Sequence, residues 1–132
     1  MEFRLRTLTS DRQRVPRAPL TEPAAGDYRE YRSLVRFADG DLAAVRYSLS
    51  RGSEIELLSP AGTLKKRIRA LPASRISAGG TYLAWDEQTA DLKFQRGENR
   101  IMLYDRNLGA IRPLTSRGRY IYPELSRNGG RL

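Results

Sequence analysis

Turn residues recur at a fixed spacing in this chain, and that spacing limits what it can fold into. The stretch Ser74–Thr115, SRISAGGTYLAWDEQTADLKFQRGENRIMLYDRNLGAIRPLT, holds four short strand-like runs separated by turn residues, and its landmarks occur earlier and later in the chain. Gly40 and Gly80 lie 40 residues apart, Ile55 and Ile101 lie 46 apart, and Gly62 and Gly109 lie 47 apart. A period of roughly 40–50 residues with four strands in each period describes a repeat of small sheets. Each sheet has two faces to cover and needs neighbours to cover them.

The copies follow one order. In the first, a strand over Ser33–Phe37 meets the turn Asp39-Gly40, and a second strand runs over Asp41–Ser48. Asp-Gly between apolar runs favours a hairpin because the turn needs positive φ, which glycine adopts without a Cβ clash. Strands over Glu54–Leu58 and Thr63–Arg69 complete that unit. In the second copy Ile76–Gly80 supplies the first turn, and Thr81–Asp86, Arg100–Tyr104 and Ala110–Thr115 supply strands. The extra length of this copy falls in Glu87–Asn99, read as a polar inter-strand loop. A third copy opens with Ser126–Leu132, in which Asn128-Gly129 holds the turn position. Before the repeats, Glu2–Ser10 alternates like a half-buried strand, and the following segment carries Pro16, Pro19 and Pro23, which no central strand accommodates.

Composition excludes several chemistries. The chain has no cysteine and no histidine, which removes thiolates, disulfides, imidazole ligands and the commonest general base. No run approaches the roughly 20 apolar residues of a spanning helix, and nothing near Met1 has the order of a signal peptide. The net charge of +9 raises nucleic acid as a partner, but arginine is scattered and lysine occurs only at positions 65, 66 and 93. No aromatic interleaving accompanies the basic residues, so a nucleic-acid role is not the expectation. Ser77 and Ser126 lack a Gly-x-Ser-x-Gly setting, and no catalytic residue, cofactor site or metal site is expected.

Ser126–Leu132, Ser77–Ala84, the Ile101–Asp105 run Ile-Met-Leu-Tyr-Asp and the Arg112–Thr115 run Arg-Pro-Leu-Thr resemble the TolB-like, WD-like β-propeller repeats of bacteria. The stretch Gly118–Pro123 with Ser126 is similar to an inter-blade junction of that family, in which Ser-Pro-Asp-Gly opens the next blade. Here Arg127 stands for the proline and Asn128 for the aspartate, and Asn serves the same turn. The resemblance covers Ser33–Leu132. It implies an all-β fold, an incomplete β-propeller of four-stranded antiparallel meander blades. Residues 1–10 are then the leftover strand of a preceding blade and 11–32 a Pro-rich loop or linker. Residues 33–70 form the first blade, 71–117 the second, and 118–132 the start of a third. A closed propeller needs at least four blades and about 160 residues, so this chain is expected to be a piece of a longer protein with an exposed sheet edge near Leu132. Such an edge favours self-association. The resemblance also implies a periplasmic or cell-envelope setting.

Two functions follow. The favoured one is a non-catalytic module that binds another protein or acts as a scaffold. The alternative is the accessory propeller of a hydrolase or peptidase whose catalytic domain lies outside this chain. The expected contact region is the insertion, with Glu87, Gln88, Asp91, Lys93, Phe94 and Arg96. Asp39, Gly40, Gly79, Gly80, Trp85, Asn128 and Gly129 are expected to be structural repeat positions. Leu42, Val45, Ile55, Leu57, Leu83, Trp85, Ile101 and Leu103 are expected to be the most buried.

Overall fold

The computed structural model describes residues 28–91, 96–116 and 118–132, and the side chains of 89–91 and 96 are outside that description. The leftover strand over 1–10, most of the segment 11–32, and Lys93 and Phe94 lie outside the described residues. Eight strands form: β1 Arg29–Arg36, β2 Leu42–Ser48, β3 Gly52–Leu58, β4 Leu64–Arg69, β5 Ser77–Gly79, β6 Tyr82–Asp91, β7 Arg96–Asp105 and β8 Ala110–Pro113. They make two four-stranded antiparallel sheets, β1-β2-β3-β4 and β5-β6-β7-β8, with no helix among the described residues.

Strand alternation sorts each sheet into two faces. The face of the first sheet carrying Val35, Ala43, Val45, Ile55, Leu57 and Ile68 packs on the face of the second carrying Ala78, Leu83, Trp85, Met102 and Tyr104. Phe37, Ala70 and Ile76 join the same core from the connections. Trp85 is 1% exposed at its centre. Seven of the eight expected core positions are buried, and Leu42 is only half-buried because it faces away from the second sheet beside Tyr31, Ala44 and Leu58.

That outer face of the first sheet buries charge. Arg46, Glu54 and Glu56 are all less than 10% exposed. The Arg46 guanidinium lies 3.6 Å from Glu54 and 3.4 Å from Glu56. Arg67 reaches both carboxylates at 3.7 Å, Arg51 Nε donates to Glu54 at 2.9 Å, and the Tyr31 hydroxyl donates to Glu56 at 2.8 Å. Carboxylates buried in this way persist because neighbouring guanidinium charges and the hydrogen bonds from Arg51 and Tyr31 offset the lost water.

Four boundaries differ from the sequence reading. The first sheet opens at Arg29, inside the segment read as the 11–32 linker, because β1 continues to pair with β2 down to Arg29 opposite Ser48, across an irregularity between Tyr31 and Ser33. Ile76–Gly80 is not all turn: Ser77–Gly79 is a short strand paired with Tyr82–Ala84, and the turn proper is Gly80-Thr81. Of the segment Glu87–Asn99, read as a loop, Glu87–Asp91 and Arg96–Asn99 are strand, since β6 and β7 stay in register through Gln88 opposite Asn99 to Asp91 opposite Arg96. No strand forms after β8 among the described residues, so the edge is not a strand interrupted at Leu132; the edge strands are β1 and β4 in the first sheet and β5 and β8 in the second.

The segment Pro123–Arg131 instead docks on the free face of the second sheet. Leu125 packs with Tyr82, Ala84 and Leu103, its N–H donates to Ser77 Oγ at 2.9 Å, and Gly80 N–H donates to the Arg127 carbonyl at 3.0 Å. The approach requires glycine: a Cβ on Gly79 would stand 2.1 Å from the Ser126 carbonyl oxygen and 2.8 Å from Leu125 Cβ. Gly79→Ala is therefore expected to cost about 1–3 kcal/mol and to loosen the docked segment. Hydrogen exchange at the Leu125 amide, faster than in the parent protein, checks this.

Candidate functional site

The repeat turns close the ends of the sheets. In the first copy Phe37 N–H donates to Asp41 O at 2.8 Å, Gly40 N–H to Phe37 O at 3.0 Å, and Asp41 N–H to Asp39 Oδ1 at 3.0 Å. The third copy has a closely similar pattern: Ser126 N–H donates to Arg131 O at 2.9 Å, Gly129 N–H to Ser126 O at 2.8 Å, and Gly130 N–H to Asn128 Oδ1 at 3.0 Å. Gly40 and Gly129 both hold positive φ, at 95° and 73°. Asp39 and Asn128 thus satisfy local backbone donors.

Asp39 also ties the two sheets together. Arg106, in the turn between β7 and β8, donates to Asp39 at 2.9 Å and to Asp41 at 2.6 Å, and its guanidinium lies 4.1 Å from the centre of the Phe37 ring. Lys65 reaches Asp41 at 2.6 Å. The hydrogen bond from Arg106 holds the Asp39 carboxyl below its ordinary value, and the Asp41 amide adds to the effect. A carboxyl whose folded value is lowered contributes stability that is fully present above its unfolded value and is lost as pH falls through the folded one. Asp39→Asn should therefore lower the unfolding midpoint at neutral pH, with the difference closing in acid. Because the Asp39 side chain is 56% exposed, the effect should stay below about 1 kcal/mol. Urea titrations of both proteins across that range check the sign.

The middle of β6 is a second node. Asp86, 1% exposed, accepts the Ser74 amide at 3.2 Å, the Ser74 hydroxyl, and Asn99 Nδ2 at 3.1 Å. Glu87 accepts Trp85 Nε1 at 3.0 Å and the Leu71 amide at 3.2 Å through one oxygen, and its other oxygen lies 3.7 Å from Arg100. These bonds latch the connection between the sheets onto the second one. The Glu87 carboxylate, expected on a presenting loop, is thus engaged inside the fold, and Trp85 is packed rather than offered to a ligand. Gln88 is exposed on β6, while Asp91 and Arg96 are the last paired residues of the β6–β7 ribbon.

This ribbon outruns its neighbours among the described residues. β5 pairs only with Tyr82–Ala84 and β8 only with Met102–Asp105, and farther along β6 and β7 the described residues add only the isolated bridges of Pro72 with Glu87 and of Arg119 with Asn99. Two open clefts of about 400 and 470 Å³ adjoin along β1, β5 and residues 123–127, sharing Arg36 and Ala78. No group of three or more carboxylate, thiol or imidazole residues suited to a metal occurs among the described residues. No helix there is long and apolar enough to cross a membrane. Neither a family model, a curated protein nor a solved structure matches this chain.

Sequence reasoning missed Arg46, Glu54, Glu56, Asp86 and Arg106. Opposite charges in register across the β2–β3 hairpin, Arg46 facing Glu54, were the available signal for the first group. No local pattern marks Arg106, whose partners lie some 65 residues earlier in the chain.

Proposed function

We propose that this chain is part of a β-propeller of the TolB-like, WD-like kind and serves as a protein-recognition module without chemistry of its own. The single observation that carries the functional reading is the projecting β6–β7 ribbon, a two-stranded element held at its base by Asp86, Glu87 and Asn99. A ribbon anchored in a sheet and without lateral strands among the described residues offers backbone and side chains to a partner. The propeller assignment draws support from the face-to-face stacking of two consecutive meanders and from the shared turn bonding at Gly40 and Gly129. In the same sense, Leu125 covers the next free sheet face.

The test exchanges residues 89–98 for Asn-Gly, which joins Gln88 directly to Asn99 in a two-residue hairpin turn and keeps the anchoring bonds. Immobilised parent and exchanged proteins are then compared for partners recovered from envelope and cytosolic fractions. The expected result is selective loss of a partner with the exchanged protein, at unchanged thermal midpoint. Identical recovery overturns the ribbon as the binding element.

A further inference from the structure

We infer that the paired clefts along β1 and β5 bind an acidic, extended segment of a protein partner, with Arg36 and Arg127 receiving its carboxylates. The inference rests on the recognition reading but places the contact away from the β6–β7 ribbon. Arg36 and Arg127 line the first cleft, where Ala78, Gly79 and Gly80 form backbone-rich wall; Arg36 also lines the second, with Arg75 and one exposed carboxylate, Glu124. Neither Arg36 nor Arg127 makes an ion pair among the described residues, and both are exposed. Elsewhere on the sheets carboxylates are engaged internally: Asp39 and Asp41 with Arg106, Glu54 and Glu56 with Arg46 and Arg67, Glu87 with Arg100.

Shape and chemistry select the occupant. β1 and β5 are terminal strands of their sheets, so the trough is bordered by strand edges that suit an extended backbone. Guanidinium forks suit carboxylates bidentately. Nucleic acid fits less well, because the aromatic ring in the lining, Phe37, is buried beneath Arg106 and cannot stack on a base.

The test titrates the whole chain into a fluorescein-labelled eight-residue peptide of alternating Glu and Ser, its Gln-for-Glu counterpart, and a labelled single-stranded oligonucleotide of eight nucleotides, read by anisotropy. Arg36→Glu and Arg127→Glu are each expected to weaken the Glu peptide about tenfold, and Arg112→Glu, outside the clefts, less than about twofold. Circular dichroism and the conservative Arg36→Gln and Arg127→Gln variants confirm folding and an intermediate loss. Failure to bind the Glu peptide, equal weakening by Arg112→Glu, binding of the Gln peptide as tightly, or tighter binding of the oligonucleotide each overturns the inference. Partners lost on ribbon exchange but retained by the two arginine variants would overturn it while leaving the recognition reading intact.

Discussion

Trp85→Ala should lower stability by about 3–5 kcal/mol, the largest single effect expected for this protein. The indole is fully buried where the two sheets meet, among Val45, Ile55, Leu83 and Met102, and its Nε1 hydrogen bond holds Glu87 against the inter-sheet connection. Truncation removes the apolar filling and leaves a void that rigid strands on both sides cannot collapse. Leu108→Ala, at a side chain 79% exposed, serves as the comparison. Equal urea midpoints for the two variants would show that the sheets do not depend on the ring.

The second large effect is expected at Arg46→Met, about 3 kcal/mol. The substitution keeps side-chain length but leaves Glu54 and Glu56 buried with one neighbouring cation fewer. Arg67 and Arg51 remain near the carboxylates, which places the value toward the low end of what breaking a buried pair costs. Combining Arg46→Met with Glu54→Leu and Glu56→Leu should recover most of the loss, because no uncompensated charge then stays out of water. If the triple variant is less stable than Arg46→Met alone, the charged group contributes net stability beyond its own desolvation.

The parts legible in the sequence are those decided locally. Asp39-Gly40 and Asn128-Gly129 announce their turns because an Asx side chain and a following glycine close the turn without distant help. Alternation places Val45, Ile55, Leu57, Leu83 and Leu103 inside correctly. Glu87–Asn99 deceived because strand formation there follows from hydrogen-bonded register, from Glu87 opposite Arg100 to Asp91 opposite Arg96, and not from an apolar period. The buried charges deceived in the opposite direction: Arg46 and Glu56 alternate as a solvent face would, and only cross-strand pairing makes their burial tolerable. Arg36 and Arg127 could not be linked from sequence, since the fold alone brings β1 beside residue 127.

All ladder pairings within the sheets join strands consecutive in the chain. Each meander can therefore close through short loops, which keeps the entropy of early ordering low and favours fast formation of the individual sheets. The face-to-face contact around Trp85 and the bonds from Arg106 to Asp39 and Asp41 span longer separations and are expected to form later than the individual sheets. Substitutions at that interface should consequently act on the unfolding rate far more than on the folding rate. The expected role of the buried indole is to lengthen the lifetime of the packed sheets rather than to speed their meeting.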